Sequence, residues 1–130
     1  MAKNSYSDIL VLLAEDDTFL ANIYKTKFDM EGFKIVHADN GEKALEEARK
    51  KKPSIILLDI LMPKMDGFSV LEELKKDKDL KDTPVILLTN LGQKDDVDKG
   101  LAMGANDYLI KAHFKPSEVV AKVKAILKIQ

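Results

Sequence analysis

A doubly wound α/β domain built on a five-stranded parallel sheet is the fold class that this 130-residue sequence predicts. Three observations carry it. Wholly apolar runs stand at residues 9–14, 55–58 and 84–88, and a run without polar alternation marks a strand buried on both faces, as in parallel sheets. Between the runs lie segments whose apolar residues recur at helical spacing. Strands and helices alternate, which calls for right-handed crossovers and helices on both faces of the sheet.

In chain order, residues 1–8 are polar and expected to fray, and the strand at 9–14 ends in Glu15, Asp16 and Asp17. Phe19, Leu20, Ile23, Tyr24 and Phe28 then predict a helix closed by Gly32, which suits a left-handed cap. Residues 33–38 form a strand of mixed character suited to a sheet edge. Asn40 caps a helix carrying Ala44, Leu45 and Ala48, and residues 50–53, Lys-Lys-Lys-Pro, stop it. The central strand, 55–58, ends at Asp59. Asp66 caps a helix with Phe68, Leu71 and Leu74, and the charged stretch 75–83 reads as solvated surface. A fourth strand, 84–88, ends at Thr89. The next helix sets Val97 and Leu101 on one side and closes at Gly104; a fifth strand, 107–110, ends at Lys111. Pro116 at a first helical position opens the last helix, with an inner stripe of Val119, Val120, Val123, Ile126 and Leu127 opposite Lys122, Lys124 and Lys128.

Composition narrows the function classes. The chain has the size of one domain, 1–130, with no cysteine for disulfides or thiolate metal sites. A net charge of -1 with 33% charged residues offers no basic field for nucleic acid. No apolar run approaches the ~20 residues of a membrane span, and residues 1–8 lack a signal-peptide core, so a cytoplasmic location is expected. His37 and His113 have no paired ligand nearby and read as surface or edge residues, Asp17 reads as a helix-start residue, and the five methionines as core filling and loop anchors.

The chemistry lies at the strand ends. Ligand sites in open parallel sheets gather at the carboxyl ends of the strands. If the first strand lies beside the third, Glu15, Asp16, Asp59, Thr89 and Lys111 converge in one pocket. Three carboxylates together are costly unless a cation joins them. Carboxylate oxygens without His or Cys select Mg²⁺ or Mn²⁺, and Lys111 and Thr89 then stand ready for two oxygens of a phosphoryl group. Capping or simple ion pairing accounts for each residue singly, but not for all five.

Glu15-Asp16, Asp59 followed by Met62-Pro63 and Asp66-Gly67, Thr89, Tyr108 and Lys111 stand in an order and spacing that resembles the response-regulator receiver domain, the phosphoacceptor half of two-component signalling. The resemblance runs from about residue 9 to residue 128. It implies a flavodoxin-like sheet of order 2-1-3-4-5. It further implies that Asp59 is phosphorylated by a sensor histidine kinase or phosphotransfer protein. Glu15, Asp16, Asp59 and the backbone carbonyl of Leu61 would hold Mg²⁺ or Mn²⁺. Thr89 and Lys111 would contact the phosphoryl group, and Thr89 with Tyr108 would form a switch pair. The protein would be no enzyme beyond its own phosphotransfer and dephosphorylation. Its effector would dock on the face of the fourth helix, fifth strand and fifth helix, without direct contact to nucleic acid or membrane. On that face Asp107, Glu118 and Lys122 partly match a charged pattern used for symmetric dimers, with lysine where arginine is usual, which suggests a weak homodimer.

Four departures stand out. Lys111 is followed by Ala112 where the family has proline, and residues 112–116 make a loop one residue longer. A cis bond before alanine costs about 3 kcal/mol against under ~1 before proline, so either a trans bond with a rearranged loop or a strained cis bond is expected. Asn90 replaces a small residue, and Leu61 and Leu91 put apolar groups where the family modulates dephosphorylation, which would restrict water. No output domain is expected, so the chain reads as a stand-alone, excised or engineered receiver. Other classes fit less well. An aspartyl-phosphate phosphatase needs a second acid two residues after the nucleophile, where Leu61 stands, and a flavin or nucleotide domain needs a phosphate loop where Glu15-Asp16-Asp17 stands. The alternative is a pseudo-receiver, a docking module of the same fold that works without phosphorylation.

Overall fold

Five parallel strands, β1 (Leu10–Ala14), β2 (Lys34–Ala38), β3 (Ile55–Asp59), β4 (Val85–Thr89) and β5 (Asp107–Ile110), form one sheet in the order β2-β1-β3-β4-β5. Between and after them run α1 (Thr18–Met30), α2 (Gly41–Lys51), α3 (Gly67–Lys76), α4 (Lys94–Ala102), a 3₁₀ turn (Lys111–His113) and α5 (Pro116–Leu127). A computed structural model describes residues 6–90, 94–113 and 115–129; the expectations for residues 1–5, Leu91 and the side chain of His113 lie outside the described residues.

Strand alternation splits the core into two layers. Leu12, Ala14, Ile56, Leu58 and Leu87 face α2 and α3, packing on Ala44, Leu45, Ala48, Val70, Leu71 and Leu74. Val11, Leu13, Ile55, Leu57, Ile86 and Leu88 face the other way, onto Ala21, Tyr24 and Phe28 of α1 and Val119, Val120 and Val123 of α5. The wholly buried strands β3 and β4 are apolar up to their last residues, Asp59 and Thr89, and the mixed strand β2 is at an edge, where half-burial suffices. The caps fall where the sequence puts them. Asp17, Asn40 and Asp66 accept the backbone N–H of Leu20, Lys43 and Ser69, while Gly32 and Gly104 take φ of +95° and +111° just past α1 and α4.

Several expectations need correction. Phe19 is 76% exposed and Ile23 38%, because Ala21, Tyr24 and Phe28 at i, i+3 and i+7 hold the sheet-facing line of α1. Leu101 is likewise half-exposed; Val97 and Gly100, three apart, are the buried pair of α4. Tyr6, expected to fray, is instead held in place, since its ring stacks on Phe33 at 4.7 Å between centroids. The stretch 75–83 is not all solvated: α3 extends to Lys76, and Leu80 turns back into the core layer of α2 and α3.

The connection from β3 to α3 is drawn tightly against the strand end. The Gly67 N–H donates to the Ile60 carbonyl at 2.8 Å, and a Cβ on Gly67 would run into the Asp59 carbonyl and stand 2.8 Å from the Ile60 Cα. Backbone on both sides leaves little room to give. Gly67→Ala should therefore lose about 2–3 kcal/mol in urea unfolding, whereas Ser69→Ala, at an exposed position of the same helical turn, should stay within about 0.5 kcal/mol; equal midpoints would show that the close approach is not rigid.

Candidate functional site

The strand order sets the site. With β1 between β2 and β3, the residue after β1 and the last residue of β3 stand side by side, and β5 lies two strands from β3 across β4. Glu15 is fully buried, Asp59 nearly so, and Thr89 at the end of β4 is also buried. Carboxylate oxygens of Glu15, Asp16 and Asp59 lie within 4.8 Å of one another, with Asp16 alone exposed. Lys111 reaches into the cluster from the end of β5. Its Nζ lies 2.7 Å from Glu15 Oε1 and 2.9 Å from Asp59 Oδ2.

These contacts differ in kind. Lys111 donates a well-formed hydrogen bond to Asp59, but its approach to Glu15 Oε1 is an ion pair without hydrogen-bond alignment, and that buried oxygen has no other partner among the described residues. The other oxygens are held by backbone. The Asp17 N–H donates to Glu15 Oε2 at 3.1 Å, and the Leu61 N–H to Asp59 Oδ1 at 3.3 Å. Burial pushes the Asp59 carboxyl up to about 7; the Lys111 hydrogen bond opposes this, and the Glu15 charge adds to it. Burial acts to lower the Lys111 ammonium, but its contacts with the charged Glu15 and Asp59 outweigh that and raise it.

The donor set suits a hard divalent cation. Three oxygens of three carboxylates converge, one of them buried and short of a donor. Oxygens sharing one Mg²⁺ stand at most about 4.2 Å apart, so a spread of up to 4.8 Å asks only for slight closure or an intervening water. Asp16, exposed at the rim, gives the ion an entry path.

The sequence-predicted residues are thus placed as follows. Glu15, Asp16, Asp59 and Lys111 meet directly, and Thr89 stands on the neighbouring strand end. Leu61 is 69% exposed and offers its N–H to Asp59. The structure has no cis peptide bond among the described residues. The chain turns through the 3₁₀ segment immediately at Lys111, and this rearranged loop leaves the ammonium in the pocket. Tyr108 is 37% exposed, outside the cluster, in a groove of about 440 Å³ with Val97, Leu101 and Ile110. Two residues near the site went unnoticed as neighbours of it. Tyr24, read as a helix-stripe residue, has its phenol pushed up by burial within reach of the charges of Lys111, Glu15 and Asp59. His37 was set aside as an edge residue, yet its ring contacts the Glu15 backbone.

The family described as response regulator receiver domain matches residues 11–124. The chain is 36% identical to the DNA-binding dual master transcriptional regulator RpaA of Synechocystis, the match covering 91% of this chain and 48% of that protein. It is 36% identical to the alkaline phosphatase synthesis transcriptional regulatory protein PhoP of Bacillus subtilis with the same coverage. The chain thus spans about half the length of the curated relatives it matches. Among solved structures, the receiver domain of the Francisella response regulator 1452 superposes with a TM-score of 0.84 at 35% identity, covering 92% of this chain and 97% of that one. The receiver domain of the Pseudomonas aeruginosa sensor histidine kinase PA1611, with a magnesium ion coordinated in its active-site cleft, gives 0.82 at 26% identity, covering 90% and 95%.

A raised carboxyl has a signed consequence for stability. The folded state holds the Asp59 proton up to about 7, whereas the unfolded chain releases it near 3.8, the ordinary carboxyl value; the metal-free protein therefore loses stability as pH rises between those values and gains none of it back above them. The full shift, in which the Lys111 bond is already counted, corresponds to about 4 kcal/mol, and roughly half is expected for an asparagine, whose amide only partly mimics the protonated acid. Asp59→Asn should then be more stable than the parent by about 2 kcal/mol in chelator at pH 8, with the gap closing toward pH 4. A variant less stable than the parent at pH 8 would contradict the strained-carboxylate reading.

Proposed function

Because the chain belongs to the response-regulator receiver-domain family, we propose that Asp59 is its phosphoacceptor and that the phosphoryl group comes from a histidine kinase or phosphotransfer protein. Receiver domains act in two-component signalling and are not enzymes of the ordinary kind; what Asp59 does is nucleophilic phosphotransfer within its own site. The observation that carries the reading is the buried Asp59 carboxylate held between the Lys111 ammonium and the Leu61 N–H, with the oxygens of Glu15 and Asp16 beside it.

In the proposed reaction an Asp59 oxygen attacks phosphorus, the P–N bond of the donor imidazole breaks, and its electron pair stays on the imidazole nitrogen, which takes a proton. Glu15, Asp16 and Asp59, with the Leu61 carbonyl, are the proposed holders of a divalent ion, Mg²⁺ or Mn²⁺. When bound, that ion supplies positive charge that offsets both the crowded carboxylates and the charge developing on the phosphoryl oxygens. Lys111 is already in hydrogen-bond contact with the nucleophile, so it has only to swing its Nζ onto a phosphoryl oxygen. The Thr89 hydroxyl, one strand away, is the proposed donor to another.

The output follows from the same charges. An aspartyl phosphate brings nearly two negative charges and strong acceptors, drawing Thr89 inward. We place the resulting change at Tyr108, whose ring now stands outside and would turn into the space vacated. The face of α4, β5 and α5 is the proposed effector surface. Asp107 and Lys122 already pair there within one chain at 2.7 Å, so a symmetric dimer through them must share or exchange that pair. A pseudo-receiver gains no support from the altered loop, because Lys111 keeps its contacts with Glu15 and Asp59.

Incubation with acetyl phosphate and Mg²⁺ should add one phosphoryl group by intact mass, labile to base, and none to Asp59→Asn. Label on that variant would place the acceptor elsewhere. Asp16→Asn should weaken Mn²⁺ binding at least tenfold, with no change reading against Asp16 as a ligand. With the beryllium fluoride mimic of phosphate, amide shifts should extend along residues 94–108 and α5; changes confined to the acid pocket would defeat the proposed switch.

A further inference from the structure

The geometry points to His37 as a positioning residue for the acidic pair, a role that rests on the site reading above. β1 and β2 run in register through Ala14 opposite Ala38, and the ladder's last rung is the Glu15 N–H donating to the Ala38 carbonyl at 3.0 Å. The next acceptor along β1 is the Glu15 carbonyl, which belongs to the peptide plane joining the two proposed metal ligands Glu15 and Asp16. Its partner is a side chain: His37 Nε2 lies 2.7 Å from it.

A carbonyl oxygen only accepts, so the contact assigns the proton to Nε2. The ring reaches that carbonyl from β2 by a route the register dictates. His37 sits opposite Leu13 and points to the same side of the sheet as Ile35, which packs in the α1 and α5 layer. From there the half-buried ring reaches the peptide that begins the turn into α1. Asp17 holds the same turn from the other side, its N–H on Glu15 Oε2 and its carboxylate capping α1. His37 thus holds the carbonyl of the Glu15–Asp16 peptide, while Asp17 holds the Glu15 carboxylate. With the ring in place, the exposed Asp16 carboxylate is presented to Glu15 and Asp59; without it, the peptide is free to rotate and the ligand set must be ordered at the moment of metal binding. Partners behind a metal ligand characteristically cost about 10–100-fold in affinity when removed.

Calorimetric titration of Mn²⁺ into the whole protein at one fixed pH tests this with His37→Leu, which keeps bulk but has no donor, and His37→Gln, whose amide N–H can reach the same carbonyl. His37→Thr, which suits an edge strand and is too short to reach, replaces His37→Leu if that variant does not fold. The donor-less variant should bind Mn²⁺ about tenfold more weakly, and His37→Gln should fall within about threefold of the parent. In chelator, thermal midpoints should differ little, while the Asp16 amide resonance moves in the donor-less variant and returns in His37→Gln. A donor-less variant within twofold of a metal-binding parent, or a Gln variant as weak as the donor-less one, overturns the role of His37 alone. A parent that binds no Mn²⁺ overturns the site reading and this role with it.

Discussion

Everything at the carboxyl edge of the sheet turns on one ammonium between two buried carboxylates. Lys111 pairs with both Glu15 and Asp59, and neither acid is otherwise tenable at its depth, since two carboxylates about 4 Å apart repel by about 4 kcal/mol even at an effective dielectric near 20. One cation still falls short of the three carboxylates gathered there. The shortfall shows as an Asp59 carboxyl pushed up by burial and by Glu15, and as a Glu15 oxygen without an aligned donor. A proton or a divalent ion can supply the missing charge, and a phosphoryl group changes which of them is needed. That competition is what makes the site responsive rather than merely stable.

Most of this was legible in the sequence because burial on both faces leaves a strong mark. The runs at β1, β3 and β4 are apolar without interruption, and each ends in a polar residue of the site. Caps were legible for the same reason: Asp17, Asn40 and Asp66 each stand just ahead of a helical pattern and have a backbone N–H within reach. Amphipathic helices were harder. Phe19, Ile23 and Leu101 are as apolar as their buried neighbours, and only the packed rotation of the helix decides that Ala21 and Gly100, with little side chain, face inward. Gly100 shows why: a Cβ there would run into the Leu87 side chain, so α4 packs closely on β4 at this point.

The loop after β5 departs from the family pattern at Ala112. Without the family's proline the chain still turns at once, through a 3₁₀ segment, and α5 starts at Pro116 with the Lys115 N–H donating to Glu118 at 2.7 Å. Local capping thus fixes the start of α5, leaving Lys111 free to be placed by its acids. His37 was illegible for the opposite reason: nothing in its neighbourhood along the chain resembles a ligand set. Its partner is 22 residues away and becomes visible only when β1 and β2 are known to pair.

If the account is right, the charge state of Asp59 reports on the whole cluster. The most direct measurement is therefore a ¹³C titration of the Asp59 side-chain carboxyl, with chelator and with saturating Mg²⁺. The predicted midpoint is about 7 in the metal-free protein and well below that once Mg²⁺ is present, because the ion stabilises the charged form. A midpoint in the ordinary carboxylate range of about 4 under both conditions would contradict the account, since it would mean that Lys111 alone satisfies the site and that the acids have no call on a second cation.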